Sequence, residues 1–219
     1  MKKLLFLLIA VVAFMSTVVA QQDKTFYNDI IAFKKGDSTQ APPQDAILFV
    51  GSSSIRMWND LQQDFPKKTV INRGFGGSSL PHVIDYADEI IFPYNAKQIV
   101  IYAGENDFAA ADTVSAQTVA GRFQQLFHLI REKQPNVPIV FISIQPSPSR
   151  AHLMPKMSEA NQLIREFLNE HKKTDFVDVY TLMLDDSGHP RQDIFLEDKL
   201  HMNRKGYDIW KKTIKRHLK

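Results

Sequence analysis

The 219-residue chain contains no cysteine. Disulfides, thiol nucleophiles and cysteine-ligated metals are excluded, and so is a lipid-bearing cysteine behind a cleavage site. Glycine is scarce too, with nine in all, yet Gly74, Gly76 and Gly77 fall within four residues of one another. Neither sign of charge dominates: Lys and Arg number 27 against 24 Asp and Glu, and no basic block is interleaved with aromatics. Nucleic acid is therefore not an expected partner. No internal repeat, low-complexity tract or second-domain linker interrupts the sequence, and no insertion is long enough to form a lid over a site. The longest apolar run, Leu4 to Ala20, holds 17 residues including Ser16 and Thr17, short of the roughly 20 that a spanning helix needs.

That run reads instead as an export signal. Lys2 and Lys3 give a positive start, Leu4 to Phe14 is apolar, and Val18-Val19-Ala20 offers small residues ahead of Gln21-Gln22. The expectation is a cleaved signal over residues 1–20 and one domain over 21–219, with no stable membrane anchor after cleavage. Removing the two lysines lowers the formal charge from +3 to about +1. Export without disulfides suits a bacterial periplasm or the cell exterior.

Beyond the signal, apolar strand-like runs alternate with helix-period segments, the pattern of βαβ units around a parallel sheet. The predicted strands are Ala46 to Val50, Thr69 to Asn72, Gln98 to Tyr102, Ile139 to Ile144 and Asp175 to Tyr180. Predicted helices cover an amphipathic lead-in from Lys24 to Lys35, a start near Ser54, Leu80 to Ile90, Met157 to Asn169 and Arg204 to Leu218. The clearest helix carries Val119, Phe123, Leu126 and Ile130 on one face. The stretch Gly36 to Asp45, with Pro42-Pro43, reads as a flexible connection. Five strands joined by right-handed crossovers give a three-layer α/β/α sandwich with the flavodoxin-like order 2-1-3-4-5.

In such a sheet every strand leaves at the same edge, so segments just past the strand ends converge. Gly51-Ser52-Ser53-Ser54 follows the first strand, where a hydroxyl and a backbone N–H can face one cleft at the start of a helix; chemistry alone does not choose among the serines. The Gly74-Phe75-Gly76-Gly77 turn follows the second strand and can present N–H groups to an anion, though it lacks the lysine and spacing of a phosphate loop. Asn106 follows the third strand with an amide donor. Asp198 and His201, three apart, let a carboxylate hold one imidazole nitrogen and leave the other for a serine. Glu197, Asp185 and Asp186 are rival acids. A serine, oxyanion donors and a histidine with its acid are the parts that acyl transfer needs.

Taken together, the four segments resemble the SGNH hydrolases, the GDSL-type esterases and lipases, over almost the whole chain after the signal. The family's ordered serine, glycine, asparagine and histidine match Ser53, Gly77, Asn106 and His201. The resemblance implies that Ser53, third in its block, is the nucleophile, His201 its base and Asp198 the orienting acid. It further implies an oxyanion hole of the Ser53 and Gly77 N–H groups and the Asn106 side chain, with no metal or organic cofactor. One departure stands out: the usual Gly-Asp-Ser-Leu is Gly51-Ser52-Ser53-Ser54 here, which alters the hydrogen bonding around the nucleophile turn. Arg56, Trp58 and Arg150 are candidate substrate contacts. The expected substrate is a small-molecule or carbohydrate ester with a short, acetyl-like acyl group. Acyl transfer to a sugar hydroxyl uses the same residues, and a non-catalytic carbohydrate- or envelope-binding protein is the reading from another class.

Overall fold

The computed structural model describes residues 26–219, so the expected export signal lies outside the described residues. Five strands form one parallel sheet: β1 (Ile47–Gly51), β2 (Val70–Gly74), β3 (Gln98–Tyr102), β4 (Ile139–Ile142) and β5 (Thr174–Val177). Their order is β2-β1-β3-β4-β5, as the sequence predicts. The helices are α1 (Tyr27–Thr39), α2 (Ser53–Arg56), α3 (Leu61–Asp64), α4 (Leu80–Asp85), α5 (Ala87–Ile90), α6 (Glu105–Ala110), α7 (Ala116–Lys133), α8 (Met154–Asn169) and α9 (Arg204–Ile214).

The central strands are buried on both faces because side chains alternate across the pleat and each face has its own helical cover. Leu48, Val50, Ile99, Ile101, Ile139 and Phe141 pack with α1, α4, α5, α7 and α8. On the other face Ile47, Phe49, Val100, Tyr102, Val140 and Ile142 pack with Trp58, Leu61, Tyr207 and Trp210. The predicted stripe of α7 is the buried one, with Val119, Phe123, Leu126 and Ile130 all inward, and Ser115 caps its start by accepting the Thr118 N–H at 3.1 Å.

Several boundaries differ from the sequence reading for local reasons. The expected helix from Leu80 to Ile90 breaks at Tyr86, whose buried ring meets Phe75 edge-on. The expected flexible stretch from Gly36 is helical as far as Thr39, and Asp37 within it pairs with Arg73 of β2. The last strand stops at Val177, not Tyr180, because Ser143 Oγ takes the N–H groups of Val179 and Tyr180 at 2.9 and 3.0 Å. Helix α9 ends at Ile214 and passes into a 3-10 turn, Lys215–His217.

For the site, register matters most. Gly51 lies level with Gly74 on one side and Tyr102 on the other, so β1, β2 and β3 end together. Gly51 has φ +137°, and a Cβ there would lie 1.8 Å from the Tyr102 carbonyl oxygen. Only glycine permits that approach, which ends in the Ser52 N–H bond to the same oxygen at 3.0 Å.

Candidate active site

Ser53 opens α2, a single turn that starts one residue before the helix start near Ser54 that the sequence predicts. One turn carries little macrodipole; what it contributes is an N–H that helix geometry leaves without an internal acceptor. Ser52 and Ser54 are buried at 4% exposure each, whereas Ser53 is only half-buried. The structure thus separates the three serines: Ser53 Oγ lies 3.0 Å from His201 Nε2. The Ser54 carbonyl is turned the other way and accepts the Tyr207 hydroxyl at 3.0 Å.

His201 Nδ1 lies 2.7 Å from Asp198 Oδ2. A carboxylate can only accept, so the partners assign the proton to Nδ1 and leave Nε2 free to accept from the serine. The spacing of three works through a tight turn. Asp198 Oδ1 accepts the N–H of Leu200 at 2.9 Å and of His201 at 3.0 Å, and Lys199 between them has φ +56°. Antiparallel bridging of Phe195 to Met202 closes the base of this loop. Burial pushes the Asp198 carboxyl up, but the His201 ring and the two backbone N–H groups outweigh it and hold the group down at about 2. Asp185, a rival acid in the sequence, spends its Oδ1 on the N–H groups of Ser187 and His189.

The glycine turn and the asparagine are fastened to one another. Gly77 has φ +83°, the left-handed region that favours glycine, and is exposed. Among the described residues neither its N–H nor that of Ser53 has a backbone or side-chain acceptor. Ser78 ties the turn down at both ends: its Oγ donates to the Gly51 carbonyl at 3.2 Å, and its carbonyl accepts Asn106 Nδ2–H at 3.0 Å. The next residue, Asp107, is fully buried and accepts the Leu80 N–H at 2.9 Å and Arg122 Nη1–H at 2.8 Å. Burial pushes the Asp107 carboxyl up against the pull of Leu80 and Arg122. Asn106 and Asp107 therefore clamp the segment after Gly77 at two successive points. Sequence reading missed Ser78 and Asp107, because nothing in their own surroundings marks a partner 28 or 27 residues away.

Two of the three candidate substrate contacts, Trp58 and Arg150, are held by partners within the fold. Trp58 is 1% exposed, packs against Phe49, Phe65, Tyr207 and Trp210, and donates its Nε1–H to Asp64 at 2.8 Å. It belongs to the core: five residues past Ser53, the chain has already turned back beneath the sheet. Arg150 donates from Nη1 to Asn106 Oδ1 at 3.0 Å and lies 3.4 Å from Glu105 Oε1. Glu105 is buried, and it also accepts from Ser147 Oγ at 2.9 Å and the Tyr102 hydroxyl at 3.1 Å. Burial pushes the Glu105 carboxyl up, opposed by Arg150, Ser147 and Tyr102. Only Arg56 stays on the rim, exposed, its guanidinium lying across Gly76.

A hydroxyl on an imidazole, the imidazole on a carboxylate, and two free N–H groups with an amide nearby are the geometry of serine acyl transfer. Comparison with known proteins agrees. A model of the GDSL-like Lipase/Acylhydrolase family matches residues 36–209. The chain is 27% identical over 183 residues to the platelet-activating factor acetylhydrolase IB subunit alpha1 of Bos taurus, covering 78% of this chain and 73% of that one. A solved structure from Streptococcus pneumonia superposes with a TM-score of 0.77 at 21% identity, over 90% of this chain and 94% of that one. A mutant of an acetyl-xylooligosaccharide esterase from Geobacillus Stearmophilus superposes with a TM-score of 0.63 at 16% identity, over 78% and 93% of the two chains.

Proposed function

We propose that this chain, which belongs to the GDSL-like lipase/acylhydrolase family and is an ester-hydrolysing enzyme, acts on short-chain acyl esters, acetyl esters above all, through an acyl-enzyme on Ser53. The observation that carries the reading is the unbroken hydrogen-bonded line from Asp198 through His201 to Ser53 Oγ.

In this mechanism Ser53 Oγ attacks the ester carbonyl while His201 Nε2 takes its proton. The negative oxygen of the tetrahedral intermediate is met by the N–H groups of Ser53 and Gly77 and by Asn106 Nδ2–H. Collapse breaks the bond to the alcohol oxygen, which leaves with the proton from His201. Water then attacks the acyl-serine, gives its proton to His201, and the acid departs as Ser53 recovers the proton. Asp198, ionised at neutral pH, balances the imidazolium formed in each half of the cycle.

The acetyl preference is supported by the lack of any lid-sized insertion and by two relatives whose names specify acetyl groups. A carbohydrate alcohol belongs to the proposal on the second of those names, with the exposed Arg56 as a rim contact for it. Export belongs to it on the charged and apolar start of the chain.

The test is a chain-length series of nitrophenyl esters with wild type and Ser53→Ala. Acetyl and butyryl esters are expected to give higher kcat/KM than esters of about twelve carbons, all lost in the variant. Higher values for the long chains would reassign the enzyme as a lipase.

A further inference from the structure

Arg150 stands beside the oxyanion donors without a part in the chemistry above. It lies in the 3-10 segment Pro148–Leu153 that follows β4, and its side chain is 18% exposed. The neighbouring Ser149 N–H bonds to the Lys199 carbonyl at 3.0 Å, so this segment also braces the loop that carries His201.

A carboxamide has two ends of similar shape and opposite chemistry: the oxygen only accepts and the nitrogen only donates. In Asn106 each end meets a group that allows one choice. The Ser78 carbonyl can only accept, and it receives Nδ2–H at 3.0 Å. The Arg150 guanidinium can only donate, and it gives to Oδ1 at 3.0 Å. Turning the amide over would set oxygen against oxygen and NH2 against a cation, losing two part-buried hydrogen bonds at once. Ser78 occupies one of the two Nδ2 hydrogens, so the other stays available. The charge on Arg150 is already matched by the buried Glu105, which argues against a role in capturing an anionic substrate.

We propose that Arg150, anchored by Glu105, is a positioning residue that locks the Asn106 carboxamide with nitrogen rather than oxygen offered to the oxyanion. This rests on Asn106 being an oxyanion donor, and the experiment separates the two ideas.

Steady-state kcat and KM on a short-chain nitrophenyl ester would be compared for wild type, Asn106→Ala, Arg150→Met, Arg150→Lys and the double variant Asn106→Ala/Arg150→Met, with folding checked by circular dichroism and thermal unfolding. Arg150→Met is expected to lower kcat by roughly ten- to a hundredfold with KM within about twofold. Arg150→Lys, which still donates to Oδ1, should recover part of the loss. In the Asn106→Ala background Arg150→Met should cost less than about twofold more, because the group it positions is gone. The full loss persisting in that background, or a loss expressed in KM, would overturn the proposal and make Arg150 a substrate contact. Wild-type kcat in Arg150→Met would overturn it outright. Should Arg150→Met fail to fold, Arg150→Lys in the two backgrounds makes the same comparison. Wild-type kcat in Asn106→Ala alone would refute the oxyanion reading itself, a result that needs no Arg150 variant to be seen.

Discussion

Asp198 holds His201 twice: Oδ2 takes the imidazole Nδ1–H at 2.7 Å while Oδ1 takes the backbone N–H of the same residue at 3.0 Å. One carboxylate thus fixes the ring's tautomer and the position of the loop that presents it. The two jobs can be separated by changing the charge while keeping an oxygen.

Asp198→Asn can keep the backbone contacts through its remaining oxygen but presents NH2 to the ring. Nδ1 then accepts, the proton moves to Nε2, and the ring cannot take a proton from Ser53. Turnover should fall by about a thousandfold or more with the melting temperature little changed. A wild-type rate in Asp198→Asn, together with a large loss in Glu197→Gln, would move the acid to Glu197.

Lys199 makes the spacing between Asp198 and His201 usable by standing at φ +56°. A β-branched side chain there costs on the order of 1–2 kcal/mol, whereas glycine is at ease. Lys199→Val should therefore lower both kcat and melting temperature, and Lys199→Gly should keep wild-type kcat. Equal behaviour of the two, read by kinetics and thermal unfolding, would mean that the turn does not position His201.

Asp64 contributes to the acid stability of the fold. Burial pushes its carboxyl up, but Arg204, Lys211 and Trp58 overcome this and bring it down to about 2. A carboxyl lowered from its ordinary value near 3.8 stabilises the folded state above that pH and loses the contribution as pH falls toward about 2. Asp64→Asn should cost about 2 kcal/mol at pH 7, and the gap to wild type in urea unfolding should narrow between pH 4 and pH 2. A gap independent of pH would show that the ion pairs contribute nothing and only packing is lost.

What the sequence disclosed follows from how far each signal reaches. The strand Gln98–Tyr102 is read residue for residue, because both its faces are buried and turn-forming residues bound it. Ser53, Asn106 and His201 are legible because chemistry sits just past strand ends and in one short loop. The end of β5 is not, since the Ser143 hydroxyl that draws Val179 and Tyr180 out of the sheet lies 36 residues earlier. Arg150 is found near the site by its place after β4, but its work on Asn106 is invisible, as the two are 44 residues apart. Trp58 misleads in the opposite way: closeness to Ser53 along the chain says nothing of the turn that sends its ring into the core.

In the proposed mechanism Ser53, and neither neighbour, carries the acyl group. An organophosphonate that traps serine nucleophiles tests it most directly, with the labelled protein digested and the adduct located by peptide mass spectrometry. One adduct is expected, on Ser53, abolished in Ser53→Ala and slowed by at least about a hundredfold in His201→Ala. An adduct on Ser52 or Ser54, or labelling of Ser53 at the wild-type rate without His201, would contradict it.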